Sequence, residues 1–165
     1  MTSANYVDIL LFVDGEPVQV EGSPETELLN CVGTNVRMAS RVLTRYYDDI
    51  MAPSGVRVTQ LAILATVAYH GPFTLKVLAQ ALAMDRSTLT ADLRPLETRG
   101  FVAISPGEDR RTRVVTITEG GLSAIRAALP LWRRAQSHID QRLGHARLDV
   151  LLREIREVVV LIQAA

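Results

Sequence analysis

The sequence predicts a mainly α-helical fold with a small β-wing. Three observations predict it. Apolar residues recur at helical spacing, as in Leu75, Leu78, Ala79, Leu82 and again in Leu89, Leu93, Leu96. Pro53-Ser54-Gly55, Gly71-Pro72, Gly100 and Gly144 cut these runs into helix-length pieces. Residues 105–118, Ser-Pro-Gly-Glu-Asp-Arg-Arg-Thr-Arg-Val-Val-Thr-Ile-Thr, interrupt the helical pattern. There Pro106-Gly107 marks a turn, a charged tip follows, and β-branched Val114 to Thr118 reads as a strand.

The chain opens with an arm. Tyr6 to Val13 and Pro17 to Glu21 flank Asp14-Gly15, a strong hairpin turn signal. An isolated two-stranded hairpin is marginal in water, so the arm is expected to pack on the body or pair with another chain. Ser23 as N-cap and Pro24 at the first helical position start a long helix. Leu28, Leu29, Val32, Val36, Ala39, Leu43, Tyr47 and Ile50 form its apolar face. Val58 to His70 is the next helix, and Thr74 to Ala83 a short third. Met84-Asp85 breaks the pattern, and Asp85 caps a helix from Arg86 to Arg99, with Gly100 just past its end.

Phe101 to Ile104 is the partner strand for Val114 to Thr118. Glu119 to about Arg142 is a long helix containing Pro130, which is expected to bend it. Residues 146–163 form a last helix whose apolar face, Leu148, Leu151, Leu152, Ile155, Val158, Val159 and Ile162, is too wide for a helix resting lightly on a monomer. Pro95 is awkward: it removes the hydrogen bond to the Ala91 carbonyl, so the Arg86 helix should bend or end early.

Two consecutive features carry the functional reading. Between the leucines of the Arg86 helix lie Arg86, Ser87, Thr88, Thr90, Ala91 and Arg94. Short hydroxyls, Ala and guanidinium groups suit a DNA major groove, where Arg can bond guanine bidentately. Alone, this reads better as a solvated amphipathic helix. Directly after it comes the hairpin whose tip carries Arg110, Arg111 and Arg113. Those charges must stay solvated or meet an anion, and a nucleic-acid backbone is one.

From Leu78 through Thr90, over Leu96-Glu97-Thr98-Arg99-Gly100-Phe101-Val102, and along Asp109-Arg110-Arg111-Thr112-Arg113 into Thr116-Ile117-Thr118 and Gly120-Gly121, the chain resembles the MarR family of winged helix-turn-helix transcriptional regulators. The likeness is strongest over residues 57–122 and extends more loosely from about 27 to 163. It implies a winged helix-turn-helix flanked by long dimerisation helices, with an N-terminal β-hairpin arm the family pattern does not explain. The segments expected are an acidic arm at 1–22, a dimerisation helix at 23–56, a DNA-binding lobe at 57–118 and dimerisation helices at 119–165, all in one compact domain. The resemblance implies that Arg111 enters a minor groove and that Asp109 orients it. A narrow A·T-rich groove favours such an arginine. It also implies a homodimer on a pseudo-palindrome of double-stranded DNA, most often a repressor.

Charge qualifies this reading. The chain has 18 bases and 18 acids and a mean hydropathy of +0.15. Residues 1–30 hold six acids and no base, so the remainder carries 18 bases against 12 acids, a net +6. An acidic arm thus masks a mildly basic body, whose only lysine is Lys76. No apolar run reaches transmembrane length, no secretory leader is evident, and cytoplasmic location is the simplest expectation. A single cysteine excludes an intramolecular disulfide framework.

Regulation is where the sequence thins out. The family senses small lipophilic or aromatic ligands, or oxidants through a cysteine. Arg41, Tyr46, Tyr47, His70 and Trp132 are the pocket candidates by side-chain type, although aromatic residues at helical spacing are more often core. Cys31 stands near the start of the first long helix; alignment with the hydroperoxide-sensing branch puts that branch's cysteine at Gly33, so Cys31 should face another direction. His138 and His145 lack zinc-site spacing, so no metal or other cofactor is expected. No nucleophile elbow or phosphate-cradling glycine loop points to an enzyme. A winged-helix interaction module without DNA binding remains the competing class.

Overall fold

The computed structural model describes residues 11–13, 16–18, 24, 28, 31–109 and 111–163. The chain divides into two compact units, Met1–Arg45 and Tyr46–Ala165.

In the first unit, β1 (Leu11–Val13) pairs antiparallel with β2 (Glu16–Val18), Val13 opposite Glu16, as the Asp14-Gly15 turn signal requires. Pro24 and Leu28 are helical, but Cys31 is not. The long helix read from Ser23 is therefore broken, and α1 runs Val32–Met51, its last residues from Tyr46 on belonging to the second unit. Cys31 is where the chain restarts: its carbonyl accepts both the Asn35 amide, at 3.1 Å, and Asn35 Nδ2, at 3.0 Å.

The second unit holds the winged helix-turn-helix. After a 3₁₀ turn (Ala52–Ser54), α2 runs Val58–His70. Its first amide is capped by Asp48 Oδ1 at 2.7 Å. The strand β3 (Phe73–Thr74) leads into α3 (Leu75–Ala81), whose N-cap Thr74 accepts the Val77 amide at 3.3 Å. Next come α4 (Arg86–Thr98), β4 (Val102–Pro106) and β5 (Arg113–Ile117). Two long helices follow, α5 (Glu119–Leu143) and α6 (His145–Gln163). The sheet is antiparallel in the order β3-β5-β4, with Phe73 opposite Val115 and Ile104 opposite Val115 on the other side. The sequence did not announce β3; two residues give no periodicity, and only the pairing with β5 makes them a strand.

The core gathers one face of each element: Ile63, Leu64 and Val67 of α2, Leu78 of α3, Leu89, Leu93 and Leu96 of α4, and Val115 of β5 are all buried. The expected α4 stripe is thus the buried one.

Both helices flanking the α3–α4 turn and the α4–β4 turn end in the same way. After α3, the Met84 amide bonds the Ala79 carbonyl at 2.9 Å and the Ala83 amide bonds that of Gln80 at 3.1 Å. After α4, Phe101 bonds Leu96 and Gly100 bonds Glu97, both at 2.9 Å. These are two Schellman turns, each needing a left-handed residue. Gly100 supplies it at φ 68°, but Ala83 must adopt φ 51°.

Pro95 does not end α4, which continues to Thr98. Ala91, whose carbonyl loses its partner, is exposed, so water can satisfy it. Pro130 is likewise contained within an unbroken α5.

Candidate nucleic-acid interface

Asp85 builds the start of α4. Its backbone is extended (φ −72°, ψ 157°), and its carboxylate accepts the Thr88 amide at 2.8 Å. It also accepts the hydroxyls of Ser87 and of Thr88, the latter at 2.6 Å. The hydrogen bond from Ser87, then those from Thr88, hold the Asp85 carboxyl far below the usual carboxylate range. The cap is therefore ionised at any physiological pH.

Beyond the cap, Arg86, Ser87, Thr88, Thr90, Ala91 and Arg94 are all exposed. Helical spacing sets Ser87, Ala91 and Arg94 opposite the buried leucines, with Arg86, Thr88 and Thr90 on the flanks. Arg99 closes the other end: it donates to the Gly55 carbonyl, and its guanidinium lies 4.4 Å from the centre of the Phe101 ring.

The β4–β5 connection is a compact turn. The Gly107 amide bonds the Thr112 carbonyl at 3.0 Å, and the Asp109 carbonyl accepts the Thr112 amide at 2.8 Å. Asp109 Oδ1 accepts the Arg111 amide at 3.0 Å. The aspartate thus sets the main chain at Arg111, leaving the guanidinium projecting from an exposed tip. Arg113, the first residue of β5, is also exposed. Arg110 lies outside the described residues. A Cβ at Gly107 would stand 2.3 Å from Thr112 Oγ1, so any side chain here requires that hydroxyl to turn away.

Thr118 fastens this hairpin to α5. It accepts the Gly121 amide at 3.0 Å as N-cap and donates to the Gly100 carbonyl at 2.6 Å. Gly121 sits so close that a Cβ would lie 2.1 Å from the Phe101 carbonyl oxygen.

In the second unit, the residues read as ligand candidates are engaged in separate contacts. Tyr46 and His138 share a 2.6 Å hydrogen bond, and Tyr47 donates to Gln136. Burial, then the neighbouring Tyr46, pushes the Tyr47 phenol up. His70 meets Tyr69 and Phe73 edge to face at the C-terminal end of α2. Arg41 is exposed and belongs to the first unit. Trp132 lines two cavities. One, of about 300 Å³, is apolar and lies between α2 and α5, walled by Val58, Leu61, Ala62, Ala65, Ile125, Leu129 and Trp132. A second, of about 360 Å³, lies between α5 and α6 and has a polar rim of Arg133, Gln136, Ser137, Asp140, His145 and Asp149. The apolar liners were not legible as a site because, one by one, they read as core.

Cys31 is exposed at the start of α1. The Thr34 backbone amide, then its hydroxyl, lowers the thiol from its ordinary range. Among the described residues no cluster of His, Cys, Asp and Glu could hold a metal ion, and no single helix is long and apolar enough to cross a membrane.

A model of the MarR family matches residues 56–112, the span from α2 into the β4–β5 turn. Among solved structures, the chain is similar to the M. tuberculosis transcriptional regulator MosR in complex with DNA. The two are 30% identical with a TM-score of 0.74, over 82% of this chain and 98% of that one. Among curated proteins, the transcriptional repressor NicR of Pseudomonas putida is 29% identical over 104 residues, 62% of this chain and 66% of NicR. The four curated relatives are matched over 57–66% of their own length. Bordetella bronchiseptica BpsR, whose DNA binding is regulated by 6-hydroxynicotinic acid, shares the fold at 22% identity. Its TM-score is 0.68, over 77% of this chain and 97% of BpsR.

Proposed function

The chain belongs to the MarR family, and on that premise we propose that it is a homodimeric repressor of transcription that binds double-stranded DNA sequence-specifically. The observation that carries this reading is the continuity of two exposed features. The polar face of α4 is followed at once by a turn projecting Arg111, with Arg113 beside it. In this reading α4 enters the major groove with Arg86, Ser87, Thr88, Thr90, Ala91 and Arg94. Arg111 enters the adjoining minor groove, held by Asp109, and Arg110 and Arg113 meet phosphates.

One α4 reads few base pairs. Two related by a dimer axis read a pseudo-palindrome with half-sites about one helical turn apart. Support for a dimer comes from apolar side chains left in solvent on both flanking helices: Val32 and Val42 on α1 are 64% and 68% exposed, and Leu161 and Ile162 on α6 are 62% and 73% exposed. Surfaces of this kind mark association.

Release by a small lipophilic or aromatic ligand fits the apolar cavity between α2 and α5, which is large enough for a small ring system and has Trp132 as its one aromatic wall. BpsR sets a precedent for such control on this fold. Binding of a selected duplex at several salt concentrations tests the DNA reading. Arg111→Ala should weaken binding and lower the salt slope by about one per protomer. An unchanged slope and affinity would refute the assignment of the wing.

A second reading has one observation behind it, the exposed and acidified thiol of Cys31. A thiol-based oxidant sensor loses DNA binding when titrated with a hydroperoxide, and Cys31→Ser abolishes that response. DNA affinity that survives oxidation leaves the ligand-responsive repressor.

A further inference from the structure

The hydroxyls on the α4 face have their protons committed inside the protein. Ser87 donates to Asp85, and Thr88 donates to the other Asp85 oxygen at 2.6 Å. Thr90 donates to the Arg86 carbonyl at 2.7 Å. A hydroxyl has one proton and two lone pairs. Once the proton is spent, only lone pairs face outward.

We propose that Asp85 is a specificity-positioning residue: by taking the Ser87 and Thr88 protons, it makes these hydroxyls, with Thr90, an acceptor-only set that reads the exocyclic amino groups of adenine or cytosine. This rests on the DNA-binding reading above and states what that face reads. In the major groove the donors are adenine N6 and cytosine N4; guanine O6 and N7 and thymine O4 are acceptors. An outward lone pair meets the first two favourably and the others unfavourably. Phosphate oxygens are acceptors too, so these hydroxyls do not bind the backbone. Donation to guanine or phosphate falls to Arg86 and Arg94, the cations on the same face.

Asp85 acts a second way. Its carboxylate occupies the Thr88 amide, a donor that would otherwise face a phosphate at the helix start. A fixed negative charge there discourages non-specific backbone contact.

An acceptor role for these hydroxyls separates from a merely structural cap by its effect on base preference. The test measures binding of the intact protein to a duplex selected from a random pool and to its single-base-pair variants, at several salt concentrations. Ser87→Ala and Thr88→Val keep the Asp85 carboxylate and its bond to the Thr88 amide. Each should erase about a fivefold preference for adenine or cytosine at one position per half-site, the worth of one neutral hydrogen bond, with no change in salt slope. Asp85→Asn keeps an acceptor for the Thr88 amide but offers an N–H to one hydroxyl, freeing that hydroxyl's proton to turn outward. It should relax the same position toward guanine or thymine and tighten non-specific binding.

A fall in salt slope with Ser87→Ala or Thr88→Val would make those hydroxyls phosphate donors and overturn the proposal. So would preferences untouched by either variant, or a wild-type preference for guanine or thymine at the positions they affect. A pool that yields no enriched sequence overturns the DNA-binding reading itself, and this inference with it.

Discussion

Ala83→Gly should stabilise the protein, although glycine usually weakens whatever it replaces. Ala83 is the left-handed residue of the Schellman turn between α3 and α4, at φ 51°. For an L-residue that conformation costs roughly 1–2 kcal/mol. Glycine adopts it freely but gives back about 0.5–1 kcal/mol through the greater freedom of the unfolded chain. The difference leaves a gain of about 0.5–1 kcal/mol, or roughly 1–4 °C in Tm for a chain of this length. The reciprocal change provides an internal control. Gly100 fills the same position after α4 at φ 68°, and a Cβ there meets nothing within 4 Å. Gly100→Ala therefore carries only the backbone cost, about 0.5–1 kcal/mol in the opposite direction. Denaturant unfolding followed by helical circular dichroism, at one fixed protein concentration, measures both. Shifts of the same sign, or a destabilising Ala83→Gly, would refute the reasoning.

Three further expectations follow from the geometry. Gly121→Ala drives a Cβ against the Phe101 carbonyl oxygen, which belongs to rigid backbone, so it should lower stability by about 1–3 kcal/mol or more in the same assay; a change under half a kcal/mol would mean that α5 can retreat from the wing. His145 joins Asp140, at 3.1 Å across the α5–α6 joint, to Asp149, at 3.4 Å, and the Asp140 hydrogen bond followed by the Asp149 charge raises its pKa. The clasp's contribution is thus fully present below pH 6.5 and is lost as pH climbs through the raised value, and NMR titration should put the His145 midpoint above 6.5 and lower it in Asp140→Asn. Deleting residues 1–22, which carry four of the six N-terminal acids, should tighten non-specific DNA binding at low salt, whereas equal or weaker binding would make the arm a structural element.

Where local chemistry decides the structure, the sequence is legible. Gly71-Pro72 ends α2 at His70, and Asp85 with three buried leucines defines α4. The wing declares itself through Pro106-Gly107 and the β-branched run after Arg113. Tertiary pairing hides the rest. Phe73-Thr74 is a strand only because Val114 and Val115 lie alongside. Ala83 gave no sign of a left-handed turn, since alanine is an ordinary helix former. Pro95 argued for an α4 that bends or ends early; its lost bond falls on a solvated carbonyl, and the helix does not end there. At the site, side-chain types correctly placed the outward face of α4 but not the partners of its hydroxyls. The apolar cavity was invisible because its walls have the composition of core.

Selection of bound duplexes from a random DNA pool tests the central claim most directly. A two-part reader acting as a dimer predicts enrichment of a pseudo-palindrome whose half-sites are roughly ten base pairs apart, with A·T-rich flanks where Arg111 enters the minor groove. A pool without enrichment would contradict that account and leave the fold as a protein-interaction module.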